Sequence, residues 1–238
     1  MYDSSNFNSF EYIDPFDESF DYWMRCEHLG RYLFVRDSIE NESTVLDVAC
    51  SNGYGSRVIS EVAGNVLGLD INKEYINLAK ENNAKDNIRY DEFDLDNDTF
   101  KECFDYIVCF ETLEHVKNPD IVLNKFYNAL NDDGILFLSV PNEKFEEIID
   151  GKSKDKYHLN VFKYKDLLNL FYSNGFNVLK VLGQSKTNKI VNSISPDVDK
   201  TDIYYDALSI GYPSDDDIDN TYSYIFVLNK GVKWWVRL

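Results

Sequence analysis

Apolar and polar positions follow two periods along this chain. From about Tyr22 to Ser38, Leu29, Leu33 and Phe34 recur at helical spacing, with Ile39 just beyond, and predict a helix. Thr44–Ala49 (TVLDVA) is a short continuous apolar run, the mark of a buried strand. A Gly-containing turn and a short helix through Val58, Ile59 and Val62 follow, then a second strand, Asn65–Asp70. Asn72 caps a helix carrying Tyr75, Ile76, Leu78 and Ala79. Ile88–Phe93 is a weaker third strand and Phe104–Phe110 a strong fourth. Pro119 opens a helix with Val122, Phe126, Ala129 and Leu130 on one face. Asn131–Gly134 has turn composition, and Ile135–Val140 is a fifth strand stopped by Pro141.

Continuous apolar strands alternating with helices predict an α/β fold, with a parallel sheet covered on both faces. Beyond Pro141 the pattern loosens. Lys144–Tyr164 is polar and reads as an insertion. Lys165–Ser173 reads as a helix, and Phe176–Leu182 and Ser223–Leu228 as strands. Ser185–Asn220, rich in Asp, Asn, Ser and Pro, reads as a mobile loop or a lid. One domain is expected over 1–238, with an arm and helix (1–40), a core (41–142), a lid insertion (143–164) and a C-terminal part of the sheet with a long acidic loop (165–238).

Composition narrows the function. The chain has 238 residues, 44% apolar and 28% charged, proportions of a folded protein. Its 24 Lys and Arg against 42 Asp and Glu leave a net charge of −18. Such a surface has no counterion-release gain to draw on, so nucleic acid and anionic membrane are not expected partners. No apolar run approaches the ~18 residues of a membrane span. Met1–Asp21 is acidic and aromatic, without the basic start and apolar stretch of a secretory signal. Cys26, Cys50, Cys103 and Cys109 form no C-x-x-C pair, so reduced thiols in the cytoplasm are expected and a zinc site is not. Nothing in the pattern specifies an oligomeric state.

The chemistry concentrates in V-L-D-V-A-C-S-N-G-Y-G-S, Val45–Ser56, where a buried strand runs into a turn with Gly53 and Gly55 and then a helix. Glycines there permit strained angles and close ligand approach. Asp70 ends the next strand, where a carboxylate can accept two hydrogen bonds from a ribose diol. A dinucleotide site wants a third glycine, but Val58 stands there. Asp47 just before the loop would repel a pyrophosphate and suit an ammonium group. Asp94 follows the third strand, where it can accept from an adenine amino group beside the apolar Leu95. Phe110-Glu111-Thr112 closes the fourth strand. All lie at carboxyl ends of parallel strands, where open α/β sheets bind ligands.

From Thr44 to Asn142 the chain resembles the class I S-adenosylmethionine-dependent methyltransferases, on L-D-V-A-C-S-N-G-Y-G-S, G-L-D-I (Gly68–Ile71), F-D-Y-I-V-C-F-E-T-L-E-H-V (Phe104–Val116) and S-V-P-N (Ser139–Asn142). The family usually has Gly where this chain has Ser51, which suits the turn if its φ is negative. E-H-L-G-R-Y (Glu27–Tyr32) and Y-H-L-N-V-F (Tyr157–Phe162) resemble a bacterial subset linked to glycan or lipopolysaccharide modification. The resemblance implies a Rossmann-like sheet of seven strands with the last antiparallel. It implies S-adenosyl-L-methionine bound by Asp47, Ala49, Cys50, Gly53, Gly55, Asp70, Ile71, Asp94, Leu95, Phe110 and Glu111. Arg31 is a candidate partner of the methionine carboxylate, or of Glu27 in a surface ion pair. The implied reaction is methyl transfer, most simply to a hydroxyl of a small molecule or glycan, with His115 or His158 as base.

Other readings stay open. His115 or His158 would otherwise cap or pack a helix. Glu111 and Glu114 with Asp94 do not have a compelling metal spacing, so no metal is expected. Trp234 and Trp235 would stack on a sugar or dock the terminus, and Asp215–Asp219 reads as a solvated surface. A degenerate fold serving as a partner subunit is the alternative to an enzyme.

Overall fold

The computed structural model describes residues 13–149, 152–184, 203–215 and 218–231. In chain order they form α1 (Tyr22–Ser38), β1 (Thr44–Val48), α2 (Tyr54–Ile59), β2 (Asn65–Asp70), α3 (Lys73–Asn82), β3 (Ile88–Glu92) and β4 (Phe104–Cys109). A 3-10 turn (Leu113–His115), α4 (Pro119–Ala129), β5 (Leu130–Pro141), a small hairpin of β6 (Ile148–Ile149) and β7 (Lys152–Ser153), α5 (Tyr164–Ser173), β8 (Phe176–Gln184) and β9 (Ser223–Lys230) follow. The main sheet has seven strands in the order β3-β2-β1-β4-β5-β9-β8. β1 to β5 pair in parallel, and β9 runs antiparallel to both β5 and β8. The expected Rossmann-like α/β sheet with an antiparallel last strand is therefore present.

Local chemistry sets the element ends. Asp21 caps α1 by accepting from Trp23 N and Met24 N. Asn72 caps α3 through Glu74 N and Tyr75 N. Asn118 accepts from Ile121 N at the start of α4, where Pro119 occupies a first-turn position that needs no N–H. The central strands are buried on both faces, which is why they read as unbroken apolar runs. One face packs Leu46, Ile107, Leu136 and Leu138 with Leu123, Phe126, Phe171 and Phe226. The other packs Val45, Val108, Phe137 and Ile225 with Leu29, Leu33, Phe34 and Ile59.

Three expectations change. Asn131–Gly134 lies within β5, between the register partners Phe104↔Leu130 and Tyr106↔Ile135, so the turn composition marks a strand irregularity. Helix α2 ends at Ile59, short of Val62. Within the expected loop Ser185–Asn220, Ile203–Asp206 and Ala207–Gly211 are helical and lie against α1. The approach is close: a Cβ on Gly30 would fall 2.2 Å from the Gly211 carbonyl oxygen. Residues 185–202 and 216–217, Trp234 and Trp235 and the start of the arm lie outside the described residues. Among those described, no helix is long and apolar enough to cross a membrane.

Candidate active site

A cavity of about 660 Å³ opens over the carboxyl ends of β1, β2 and β4, within the size range of small-molecule sites. Its walls bring together Arg31, Ala49, Cys50, Asp70, Ile71, Asp94, Leu95, Phe110, Glu111, His115 and His158. Asp47, Gly53 and Gly55 are not on its walls.

Asp47 is fully buried one layer behind. Its carboxylate accepts from Tyr32 Oη at 3.1 Å and Ser56 Oγ at 2.6 Å. Burial outweighs these donors and pushes its pKa up to about 7. Its place is to bolt α1 and α2 to β1, so the expected direct effect of its charge on a ligand gives way to a positioning role. The glycines likewise answer to side chains. Gly53 takes a left-handed φ of 81° at the start of α2, and a Cβ there would meet the Tyr90 hydroxyl at 2.5 Å. A Cβ on Gly55 would meet the Tyr32 ring at 2.2 Å. Tyr32 itself was not singled out from sequence; the aromatic that a packed glycine accommodates leaves no pattern of its own.

The backbone around the cavity is strained. Among the described residues, non-glycine positive φ occurs at Glu42, Ala49, Ser51 and Glu111, and the last three line the cavity. Such angles persist only where neighbours hold them, and they gather at functional sites. Ser51 has φ 53°, so the loop takes the left-handed turn without the glycine and without the negative φ expected for serine. Its N–H donates to Asp70 Oδ2 at 2.9 Å, while Asn72 N donates to Asp70 Oδ1 at 2.8 Å. Asp70 thus joins the loop after β1 to the start of α3. Beside it Ile71 is 64% exposed, an apolar surface facing a cavity also walled by Leu95 and Phe110.

Asp94 borders the cavity but is held in a tight turn. It accepts from Asp96 N at 2.9 Å and Asn97 Nδ2 at 2.6 Å. The Asn97 amide keeps its carboxyl below the ordinary range.

Glu111 carries φ 44° and is tethered from two strands: Ser139 Oγ donates to its Oε1 at 2.6 Å and Ser223 Oγ to its Oε2 at 3.3 Å. Arg31, 2% exposed, lies 3.3 Å from Glu111 and 3.9 Å from Glu27. Burial penalises its charge, but those two carboxylates outweigh it and raise the pKa. Its pairing with Glu27 is therefore an interior one. His28, also on the cavity wall, is pushed well below the usual imidazole range by burial and by Arg31, which leaves it neutral.

At the opposite end the 3-10 turn meets the insertion. Asn160 N donates to Glu114 O at 3.0 Å and Asn160 Nδ2 to Val116 O at 2.7 Å. His115 Nδ1 lies 3.1 Å from the Tyr157 carbonyl, which only accepts, so Nδ1 carries the proton. His158 Nδ1 contacts Glu146 Oε1. Burial lowers the pKa of His158, yet the hydrogen bond to Glu146 and its charge outweigh that and raise it. The two imidazole rings sit edge to face with centroids 4.9 Å apart. Glu114 is 1% exposed, and neither carboxylate oxygen has a hydrogen-bond partner. Donor atoms of Glu114, His115 and His158 lie within 4.8 Å of one another. Asp94 and Glu111, the residues weighed with Glu114 from the sequence, are not part of this group.

A methyltransferase-domain family model matches residues 20–181 of the chain. The chain belongs to the methyltransferase-domain family. This methyltransferase domain is 27% identical over 172 residues to a ubiquinone biosynthesis O-methyltransferase of Hydrogenovibrio crunogenus, covering 71% of this chain and 62% of that one. It is 33% identical over 186 residues to the mitochondrial ubiquinone biosynthesis O-methyltransferase of Saccharomyces cerevisiae, covering 66% of this chain and 58% of that one. The methyltransferase domain thus spans about three-fifths of the length of these curated relatives. The crystal structure of an S-adenosylmethionine-dependent methyltransferase from Mesorhizobium loti shares the fold, with TM-score 0.60 and 16% identity over 80% of this chain and 92% of that one.

Proposed function

We propose that this protein transfers a methyl group from S-adenosylmethionine to a hydroxyl of a small molecule. The observation that carries the reading is one cavity with two chemically different ends: the Asp70–Ile71 corner of β2 and the His115–His158 pair beneath the insertion. The residues fit the cofactor. Asp70 is a carboxylate at a strand end, next to an exposed apolar surface suited to an adenine face. Ala49, Cys50 and Leu95 would line the nucleoside, with Asp94 at the rim. Arg31, backed by Glu111, would meet the amino-acid end, whose carboxylate and ammonium suit an arginine and a glutamate side by side. When bound, the cofactor supplies a methyl already activated by its sulfonium: the bond to the acceptor oxygen forms as the methyl–sulfur bond breaks, leaving the thioether and releasing the hydroxyl proton.

The protein's own tasks are then alignment, water exclusion and activation of the hydroxyl. His115 and His158 stand where that activation is needed, and the insertion that carries His158 covers the acceptor. The names of the curated relatives, O-methyltransferases of ubiquinone biosynthesis, favour oxygen over nitrogen and a small acceptor. The charge of −18 disfavours polyanionic acceptors. A neutral glycan unit is the second acceptor class.

Calorimetric titration with S-adenosylmethionine and S-adenosylhomocysteine tests the donor site. Wild type is expected to bind with micromolar Kd, and Asp70→Ala to lose about 1.5–3 kcal/mol, roughly 10- to 150-fold. No binding of either ligand at millimolar concentration overturns the methyltransferase reading.

A further inference from the structure

We propose that Glu114, His115 and His158 form a binding site for a divalent first-row transition-metal ion, and that the ion ties the insertion to the turn after β4. Three observations carry this. The first is donor geometry: one ligand atom from each residue lies within 4.8 Å of the others, with Glu114 Oε1 and His115 Nε2 3.8 Å apart. Metal–ligand bonds of about 2.0–2.2 Å would draw the three slightly closer, a matter of small side-chain rotations.

Second, Glu114 is the wrong residue for an apolar wall. It is 1% exposed with both carboxylate oxygens unpartnered, while it borders the cavity. A buried polar atom without a partner is destabilising, and more so if charged. A cation offsets that cost where no donor from the protein does. By contrast the Glu111 carboxylate already receives two serine hydroxyls and faces Arg31.

Third, the outer supports of both imidazoles are in place. His115 holds its Nδ1 proton toward the Tyr157 carbonyl, and His158 holds its Nδ1 toward the Glu146 carboxylate. Metal-bound histidines make this kind of contact through the nitrogen that does not ligate, which orients the ring and leaves Nε2 for the ion. Two imidazoles and a carboxylate select transition ions such as Zn²⁺, Co²⁺, Mn²⁺ or Fe²⁺ over Ca²⁺. Three protein ligands leave coordination positions open toward the cavity.

The consequence for the acceptor rests on the methyl-transfer reading; the metal site itself does not. An acceptor oxygen occupying an open position would ionise more readily and pass its proton to solvent, so the imidazoles would act as ligands instead of proton acceptors.

The test uses the full chain after chelator treatment, titrated with Zn²⁺, Mn²⁺ and Co²⁺ one at a time. Equilibrium dialysis should give one bound ion, and Co²⁺ should develop the visible absorption of a nitrogen-oxygen site. Glu114→Gln and His158→Ala should each weaken binding at least 10-fold, while the metal slows protease cleavage between residues 152 and 159. Absence of binding at 1 mM of all three ions overturns the proposal, as does binding indifferent to both substitutions. Cofactor titration in parallel separates the two readings. Metal bound without S-adenosylmethionine affinity defeats the function but not the site; cofactor bound without metal does the reverse.

Discussion

The two ends of the cavity handle buried charge in opposite ways. At the β1–β2 end each carboxylate has protein donors. Asp70 receives Ser51 N and Asn72 N, and Asp47 receives Tyr32 Oη and Ser56 Oγ. At the insertion end Glu114 receives nothing, and two imidazoles face it. The first end is preorganised: Asp70 holds the strained backbone at Ser51, and Asp47 is spent on tying α1 and α2 to β1. The second keeps the Glu114 carboxylate without a protein donor, a demand that an incoming species can satisfy. A site that takes one constant ligand and one distinctive one is expected to divide this way, because satisfied groups give rigidity and unsatisfied ones give demand.

Asp47→Asn probes that division with the largest expected effect. The folded protein holds a proton on Asp47 up to about pH 7, whereas an exposed aspartate gives its proton up near 3.8. Between those values the folded state binds the extra proton, so stability falls as pH rises from about 4 to about 7 and then levels. Asparagine removes this contribution. In denaturant titrations its stability relative to wild type should rise by on the order of 2–4 kcal/mol between pH 4 and pH 8. A difference independent of pH would mean that Asp47 is ionised in the fold, and the contrast with Glu114 would weaken.

Glu114→Met follows in size. Metal-free protein should gain about 1–2 kcal/mol, since an apolar side chain replaces a buried group without partners. Asp70→Ala under the same conditions should lose stability, because two backbone N–H groups lose their acceptor. Loss of stability in both variants would erase the distinction between the ends. Ser51→Gly carries the smallest effect. A residue at φ 53° gains from losing its Cβ, and the midpoint of thermal unfolding should rise by an amount worth about 0.5–1 kcal/mol. A fall would show that the serine side chain stabilises the turn it occupies.

Much of the fold was legible because its central strands are buried on both faces and α1, α3 and α4 carry side-chain caps. Tyr22–Ser38 emerged with the bounds read from its spacing, as did the strand Asn65–Asp70, whereas the strand read as Phe104–Phe110 ends earlier, at Cys109. Asn131–Gly134 misled, because turn composition inside a strand looks the same whether the chain reverses or only bulges. Ile203–Gly211 misled for another reason: its short helical turns are secured by Gly30 meeting Gly211, a contact far apart in the chain. At the site, proximity to the strand ends was readable for Asp70, Ile71 and Glu111. Depth was not. Asp47 and the two glycines sit in the same motif yet stand behind the wall, and only the positions of Tyr32 and Tyr90 show why. Glu114 was visible in the same E-T-L-E-H stretch as Glu111, but its lack of partners is a property of the packed interior alone.

The position of β9 sets an order of assembly. It enters between β5 and β8, although it comes after both in the chain. Until it arrives β5 has an open edge, with backbone groups ready to pair with any strand at hand. The same arrival delivers Ser223, one of the two hydroxyls that hold Glu111. Closing the sheet and completing the tether on Glu111 therefore rest on the same pairing, one of long sequence separation, the kind that makes folding slow. A nascent or truncated chain without this strand would hold most of its helices and strands and still present both a sticky edge and an unfinished site.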